Sequence, residues 1–347
     1  MPPRRNEGRD DMHAVVMTGN GGPDVLSYRT VADPTPTPGQ VVVRVLACGV
    51  CGHDVADRAG LTKVGAGVVL GHEIAGEVVA TGAAVRGFTA GDLVAGKQHH
   101  TCRTCRECRS GDELACSEAN FVYGGYAEYV ALEQDVLMKV PDGVDMAAAA
   151  VSACAVGSCV QALEDVARVQ PGETVVITGA GGGLGLHAMQ IARHLGARVI
   201  AVTSSPAKSD LLTAYGADDV VVASAGIAEQ VLELTGGAGA EVVLDNVGLA
   251  NVFDGCFRSL RRRGRYVFTG QLEREKISLY PAFVFFKEAV VTGSASTTTA
   301  SFRRALDLVA AGAVRPVTRT FALAQTDGAH RAIGNSDVVG RAVLVPF

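Results

Sequence analysis

Four cysteines fall within one short stretch, CRTCRECRSGDELAC at 102–116. Cys102, Cys105, Cys108 and Cys116 read C-x2-C-x2-C-x7-C, a spacing that lets thiolates converge on one ion and fill the tetrahedral shell of Zn²⁺. A disulfide framework belongs to short secreted chains built on cysteine pairs, whereas this chain has 347 residues and nine cysteines. An iron–sulfur run is disfavoured too: no fourth cysteine precedes a proline, and no second cluster motif follows. Four thiolates leave no open coordination position, so the expected zinc is structural and holds a lobe spanning 99–118.

A second constellation is scattered. CGVCGHD supplies Cys51, LGHEIAGEV supplies His72 and Glu73, and SACAVGSCVQAL supplies Cys154. Two cysteines and a histidine, with a fourth position left to water or substrate, form the pattern of a catalytic zinc. Buried free cysteines are common and a lone histidine is more often structural, so the residues alone leave both readings open.

A third motif, ITGAGGGLGLHA, follows an apolar run and opens a helical pattern. Gly179, Ala180, Gly182, Gly183, Leu184 and Gly185 would make a tight turn that lets backbone approach a pyrophosphate at a helix N-terminus. Glycine turns also serve plain packing, but the strand–turn–helix–strand context favours a dinucleotide. The next strand ends in VTSSPAKSD, with no Asp or Glu to hold a ribose 2′-hydroxyl. Thr203, Ser204, Ser205 and Lys208 suit a 2′-phosphate, so NADP(H) is expected over NAD(H), with Asp210 the one nearby charge against it.

Elements to carry these motifs are legible. From Met12 to about Val140, Val- and Ala-rich runs such as HAVVMT, QVVVRVLACGV, EIAGEVVATG and YAEYVAL alternate with Gly and Pro, predicting a β-rich domain. The cysteine lobe interrupts it without strand or helix periodicity. After about Val151 strands and helices alternate, with DVVV, EVVLDNVG, GRYVFTG and EAVVTGSAS as further strands, which predicts a doubly wound parallel sheet. The last fifty residues read as a helix and then β segments.

Bulk properties narrow the classes. The length suggests two domains. A net charge of −5 gives no case for nucleic acid or an anionic membrane. Apolar runs look strand-length, so no membrane span is expected. MPPRRNEGRDD lacks the apolar core of a signal peptide, so residues 1–11 are expected to be a disordered extension and the protein cytoplasmic.

In this order the motifs resemble the zinc-dependent medium-chain dehydrogenase/reductase family, the alcohol-dehydrogenase-like group. The resemblance runs from about Met12 to the C-terminus. It implies an α/β protein with a GroES-like catalytic domain (12–150 and 297–347), a Rossmann domain (151–296) inserted in it, and an active site in the cleft. Cys51, His72 and Cys154 would hold a catalytic zinc, making two zincs per chain with the structural one. Asp54 would orient a ligand, and Glu73 would be an acid able to join the metal.

The chain departs from many members in carrying His53 where a Ser or Thr passes the substrate proton, and Ala56 where a His carries it outward. His53 is either the proton carrier or a pocket wall. GAGGGLG, VTSSPAK, VTGSAS and GRAVLV look more like the quinone- and enoyl-reductase branch.

The leading expectation is a zinc-dependent NADP(H) oxidoreductase interconverting an alcohol and an aldehyde or ketone, acting on a small molecule. Alternatives are an NADPH-dependent reductase of a conjugated C=C bond, in an enone or an enoyl or acryloyl thioester, and a non-catalytic redox sensor. The apolar edge at EAVVTGSAS predicts a homodimer or homotetramer. Tyr123, Phe283, Phe285 and Phe286 are candidates for pocket or interface.

Overall fold

A computed structural model describes residues 11–271 and 273–347. The expected extension over 1–11 lies outside the described residues except for Asp11, which opens the strand Asp11–Met17. The chain divides into two compact units. The first comprises residues to Cys154 with Thr297–Ala310 and Thr318–Phe347, the second Ala155–Ser296 with Ala311–Val317.

The first unit is built on a seven-stranded sheet. Its order is Thr318–Ala322, Arg341–Val345, Gln40–Val50, Glu73–Thr81, Leu93–Gly96 and Leu137–Lys139, with Tyr129–Glu133 also pairing to Gln40–Val50. Gln40–Val50 is buried along most of its length, which its near-continuous Val and Ala content permits. Val41, Val43, Val45, Ile74, Val78, Leu132 and Leu344 pack into one core. The C-terminal strand Arg341–Val345 runs antiparallel to Gln40–Val50, with Ala342 opposite Val50. That pairing returns the end of the chain to its beginning.

The second unit holds a six-stranded, wholly parallel sheet. Its order is Asp219–Val222, Arg198–Thr203, Thr174–Ile177, Ala240–Asp245, Leu260–Phe268, Val290–Gly293. Numbered along the chain this is 3-2-1-4-5-6, the dinucleotide-binding order, with its switch point between Thr174–Ile177 and Ala240–Asp245. Residues 311–317 belong here because two side chains one helical turn apart grip them. Gln190 exchanges hydrogen bonds with both the N–H and C=O of Arg315 (2.7 and 3.1 Å), and His187 Nε2 accepts from the Val317 amide at 3.3 Å.

Some expectations need correction. Apolar runs are not all strand-length: Met146–Val166 is a helix of 21 residues, with a mean hydropathy of 1.7 over its most apolar stretch, long and apolar enough to cross a bilayer. Of its most apolar stretch 72% is buried inside the protein, as in a core helix. Its alanines carry too little bulk to advertise a helical period. The cysteine lobe is not free of helix, since Arg106–Ser110 is helical with the Cys105 sulfur accepting at its N-terminus. The last fifty residues contain a second helix, Thr326–Gly334, whose two glycines and polar face obscure it in the sequence. The unit boundary falls after Cys154 rather than after residue 150.

Candidate metal and cofactor sites

Strand register assembles the first site. Cys51 follows directly on Gln40–Val50 and caps the helix Gly52–Arg58. Glu73 heads the next strand and lies opposite Gly49, while Arg341 heads the C-terminal strand one residue before the Ala342–Val50 pair. Three adjoining strand ends therefore gather Cys51, His72, Glu73 and Arg341 at one end of one sheet. Cys154 arrives from inside a helix, in the π-helical turn Ser152–Val156, and not from a helix start or strand end as its flanking sequence suggests. Such turns widen a helix by one residue and re-aim a side chain.

The ligand atoms of Cys51, His72, Glu73 and Cys154 all lie within 4.8 Å of one another. The two sulfurs are 3.8 Å apart and not bonded. Asp54 organises the group: its Oδ1 is 3.1 Å from His72 Nδ1, and its Oδ2 accepts the Cys51 amide at 2.8 Å. Burial alone would raise the Asp54 carboxyl, but His72, the Cys51 amide and His330 more than reverse that and bring it to about 2. An ionised Asp54 keeps the proton of His72 on Nδ1 and leaves the Nε2 lone pair free to ligate.

Charge is distributed unevenly between the sulfurs. The Cys154 thiol, with Arg341 and His72, pulls Cys51 well below the ordinary thiol range against the effect of burial. Cys154 is pushed well above it, first by Cys51 and then by burial.

Glu73 supplies the test of whether a cation fits. It is fully buried, and neither carboxylate oxygen finds a hydrogen-bond donor. Its ion-pair partner is Arg341, 3.2 Å away through Nη2. Burial lifts the Glu73 carboxyl to about 7 despite that guanidinium. A Cβ on Gly49 would lie 2.1 Å from Glu73 Oε2, so the absence of a side chain there is what makes room for the acid. An unsatisfied carboxylate beside two sulfurs and an imidazole suits a borderline-soft divalent cation.

Flanking residues shape the approach. Phe121 stacks on His53 (4.6 Å between centroids) and meets His72 edge-on (4.7 Å) and His99 (4.9 Å). His53 is partly exposed, and its Nε2 is 3.5 Å from Asp57 one helical turn on. The fully buried Asp57 also accepts from Tyr123 Oη (3.0 Å) and Thr62 Oγ1 (2.7 Å).

The lobe brings Cys102, Cys105, Cys108 and Cys116 within the same 4.8 Å limit. Amides of Cys105 and Cys108 donate to the sulfurs of Cys102 and Cys105 at 3.3 and 3.4 Å. The Cys105 and Thr104 amides pull Cys102 down to about 6, favouring its thiolate. Glu113 anchors the lobe: it pairs with the buried Lys97 Nζ at 3.0 Å and accepts from both the amide and the hydroxyl of Thr299, which opens the helix Thr299–Ala310.

In the second unit the glycine turn closes the strand Thr174–Ile177 and leads into the helix Gly185–His194. Gly179 has φ +57°, and a Cβ on Gly185 would lie 2.4 Å from the Gly179 carbonyl oxygen, so both positions need glycine. The neighbouring strand ends at Thr203, whose Oγ1 accepts the Ser205 amide at 3.1 Å. Ser204 is exposed, and Lys208 reaches back over the turn, its Cδ 2.9 Å from where a Cβ on Gly181 would lie.

Comparison with known proteins fits both halves. Residues 37–142 match the alcohol dehydrogenase GroES-like domain, and residues 183–311 match the zinc-binding dehydrogenase domain. An acryloyl-coenzyme A reductase of Metallosphaera sedula is 33% identical over 340 residues, 96% of this chain and 99% of that one. The chain belongs to the zinc-type medium-chain dehydrogenase/reductase family.

Within this medium-chain dehydrogenase/reductase family, an NAD-dependent alcohol dehydrogenase of Sulfurisphaera tokodaii is 31% identical over 96% of this chain and 100% of its own. The solved structure of AibC matches with a TM-score of 0.91 and 38% identity, covering 100% of both chains. Like its relatives, this family member is an oxidoreductase of GroES-like plus Rossmann architecture.

Sequence reasoning overlooked Arg341, Asp57, Phe121 and His99. Asp57 carried a usable signal, four residues after His53 on one helix face. Arg341 carried only its place at the head of an apolar run, and its partners become visible only with the strand register.

Proposed function

We propose that this oxidoreductase is a zinc-dependent, NADP(H)-linked enzyme that interconverts an alcohol and an aldehyde or ketone. The observation behind this reading is the cluster of Cys51, His72, Glu73 and Cys154, with its buried, unsatisfied carboxylate. A zinc ion held by Cys51, His72 and Cys154 would supply Lewis acidity toward the substrate oxygen, and the nicotinamide would exchange hydride with the carbon that bears it. Asp54 holds His72 in the ligating tautomer. Arg341 balances the thiolates and Glu73, and Phe121 keeps water off the face it covers. His53 is the proton carrier in this reading, held between Phe121 and Asp57.

In this reading the four clustered cysteines hold a second, structural zinc. Residues 12–154 with 297–310 and 318–347 would form the catalytic domain, and 155–296 with 311–317 the nucleotide domain. NADP(H) preference rests on the absence of a carboxylate at 203–208 and on Lys208 over the turn.

A second reading is supported by the likeness, over 96% of this chain, to a protein named acryloyl-CoA reductase. There the zinc held by the same residues would supply Lewis acidity toward a thioester carbonyl, with hydride passing from the nicotinamide to the β carbon of a conjugated C=C bond and a proton to the α carbon. NADPH oxidation measured against aldehydes, ketones, enones and 2-enoyl thioesters separates the two. Turnover of simple aldehydes or ketones, lost on chelation, is expected. Turnover confined to enoyl substrates selects the second reading.

A further inference from the structure

At the switch point of the parallel sheet, one carboxylate that neither site absorbs gathers four donors. Asp245 ends the strand Ala240–Asp245 and is fully buried. Its Oδ1 accepts from Thr178 Oγ1 (2.6 Å), the Val247 amide (2.9 Å) and the Gly248 amide (3.1 Å), and its Oδ2 accepts from Tyr266 Oη (2.7 Å). Those donors come from the two flanking strands, Thr178 lying one residue past the end of Thr174–Ile177, and from the turn after the central strand. An isolated buried carboxylate is expensive, and this one is offset by donors alone.

The residues it fixes lie where an open parallel sheet binds its ligand, at the carboxyl ends of the strands beside the switch point. Thr178 precedes Gly179, the first glycine of the phosphate turn. A Cβ on Gly179 would meet Val247 Cγ2 at 3.1 Å and Asn246 Cβ at 3.6 Å, so the 246–248 turn lies directly against it. Asn246 adds a second stitch, donating from Nδ2 to the Thr178 carbonyl (2.8 Å) and accepting from Thr269 Oγ1 (2.5 Å). Gly248, at φ +64°, abuts Gly270 in the same way.

We propose that Asp245 is a positioning residue for the dinucleotide, setting the spacing of the 178–182, 246–248 and 269–270 turns that would flank it. The assignment rests on the reading of this unit as a cofactor domain. Asp245 touches no substrate and acts through the backbone it holds. Asp245→Asn preserves size but removes the charge and sets an amide N–H₂ against Tyr266 Oη, which must turn from donor to acceptor, so the hold on Thr178 and the 247–248 amides weakens and their turns shift.

The test titrates NADPH and NADH into wild type, Asp245→Asn and Tyr266→Phe by nicotinamide fluorescence, alongside steady-state kinetics and zinc analysis. In Asp245→Asn, the Kd and KM for the cofactor should rise ten- to hundredfold. At saturating cofactor, kcat, the substrate KM and the zinc content should stay within twofold of wild type. Tyr266→Phe, which takes the donor from Asp245 Oδ2 and leaves the three on Oδ1 in place, should give a rise of the same kind and serves if Asp245→Asn does not fold. A lowered melting temperature with unchanged cofactor affinity would make Asp245 merely structural and overturn the assignment. Wild type that binds neither dinucleotide would overturn the cofactor reading beneath it.

Discussion

Arg341 and Glu73 face each other at 3.2 Å with both side chains almost wholly out of solvent, and the same guanidinium lies 4.0 Å from the Cys154 sulfur. Removing one partner of such a pair leaves the other charge buried and uncompensated, a loss of about 3–5 kcal/mol. Arg341→Met should therefore unfold at markedly lower urea than wild type, with Arg341→Lys between them. Equal midpoints would show that the pair carries no weight.

The two cysteine groups should respond oppositely to a single serine. Cys51→Ser should lose one zinc and most activity while folding and dinucleotide binding persist, because strand pairing builds that site. Cys105→Ser should lose the other zinc and loosen residues 99–118, since so small a lobe draws its folding energy from the metal. Zinc analysis should find two ions in wild type and one in each variant, with hydrogen exchange locating the loosening. Full stability with abolished chemistry in Cys105→Ser would make the lobe catalytic.

A buried histidine gives a pH signature. His330 sits with its Nε2 3.2 Å from Tyr126 Oη, and burial lowers it to about 4, with Arg58 acting the same way and Asp54 and Asp327 opposing. The unfolded ring titrates near 6.5, so the unfolded state binds more protons between pH 6.5 and 4. Stability from this group is complete above pH 6.5 and is lost as pH falls through 4, by at most about 3 kcal/mol. His330→Gln, which can still accept from Tyr126, should show a shallower loss of stability over that window in chemical denaturation. Parallel curves would exclude His330 as a source.

Cofactor choice turns on the end of one strand. Lys208→Ala with Ser204→Asp should weaken NADPH far more than NADH, through lost phosphate pairing and added repulsion. A wild type that already prefers NADH, as the name of the alcohol dehydrogenase relative would suggest, refutes this reading of 203–208.

Assembly is expected at the free edge. Val290–Gly293 ends the parallel sheet, and Tyr280, Phe283, Phe285 and Phe286 beside it are each more than half exposed. An unpaired edge next to that much aromatic surface invites a second copy. Light scattering should report a dimer or tetramer for wild type and a smaller species for Phe286→Glu. A monomeric wild type at micromolar concentration would sink the proposal.

The sequence displayed its candidate metal ligands more plainly than the framework that aligns them. The cysteine lobe and the glycine turn are local, so spacing alone exposes them. Cys154 is harder: it lies in an alanine-rich helix whose period is faint, and its aim depends on a π turn that no residue type announces. Arg341 and Glu73 meet through the pairing of the last strand with Gln40–Val50, a contact across most of the chain that no local pattern encodes. Asp245 was hidden differently, because a buried carboxylate after EVVL reads like any strand end until its four donors are placed.

The fit of Gly49 against Glu73 reaches beyond this molecule. With only 2.1 Å between a would-be Cβ and the carboxylate, the two positions cannot drift independently. A lineage that keeps the acid must keep glycine across the ladder. Shortening the acid would not by itself release position 49, because the Glu73 Cβ also lies within 2.9 Å of that point. Aligned relatives should therefore show the two columns changing together, so that the history of the carboxylate is recorded in a residue that does no chemistry.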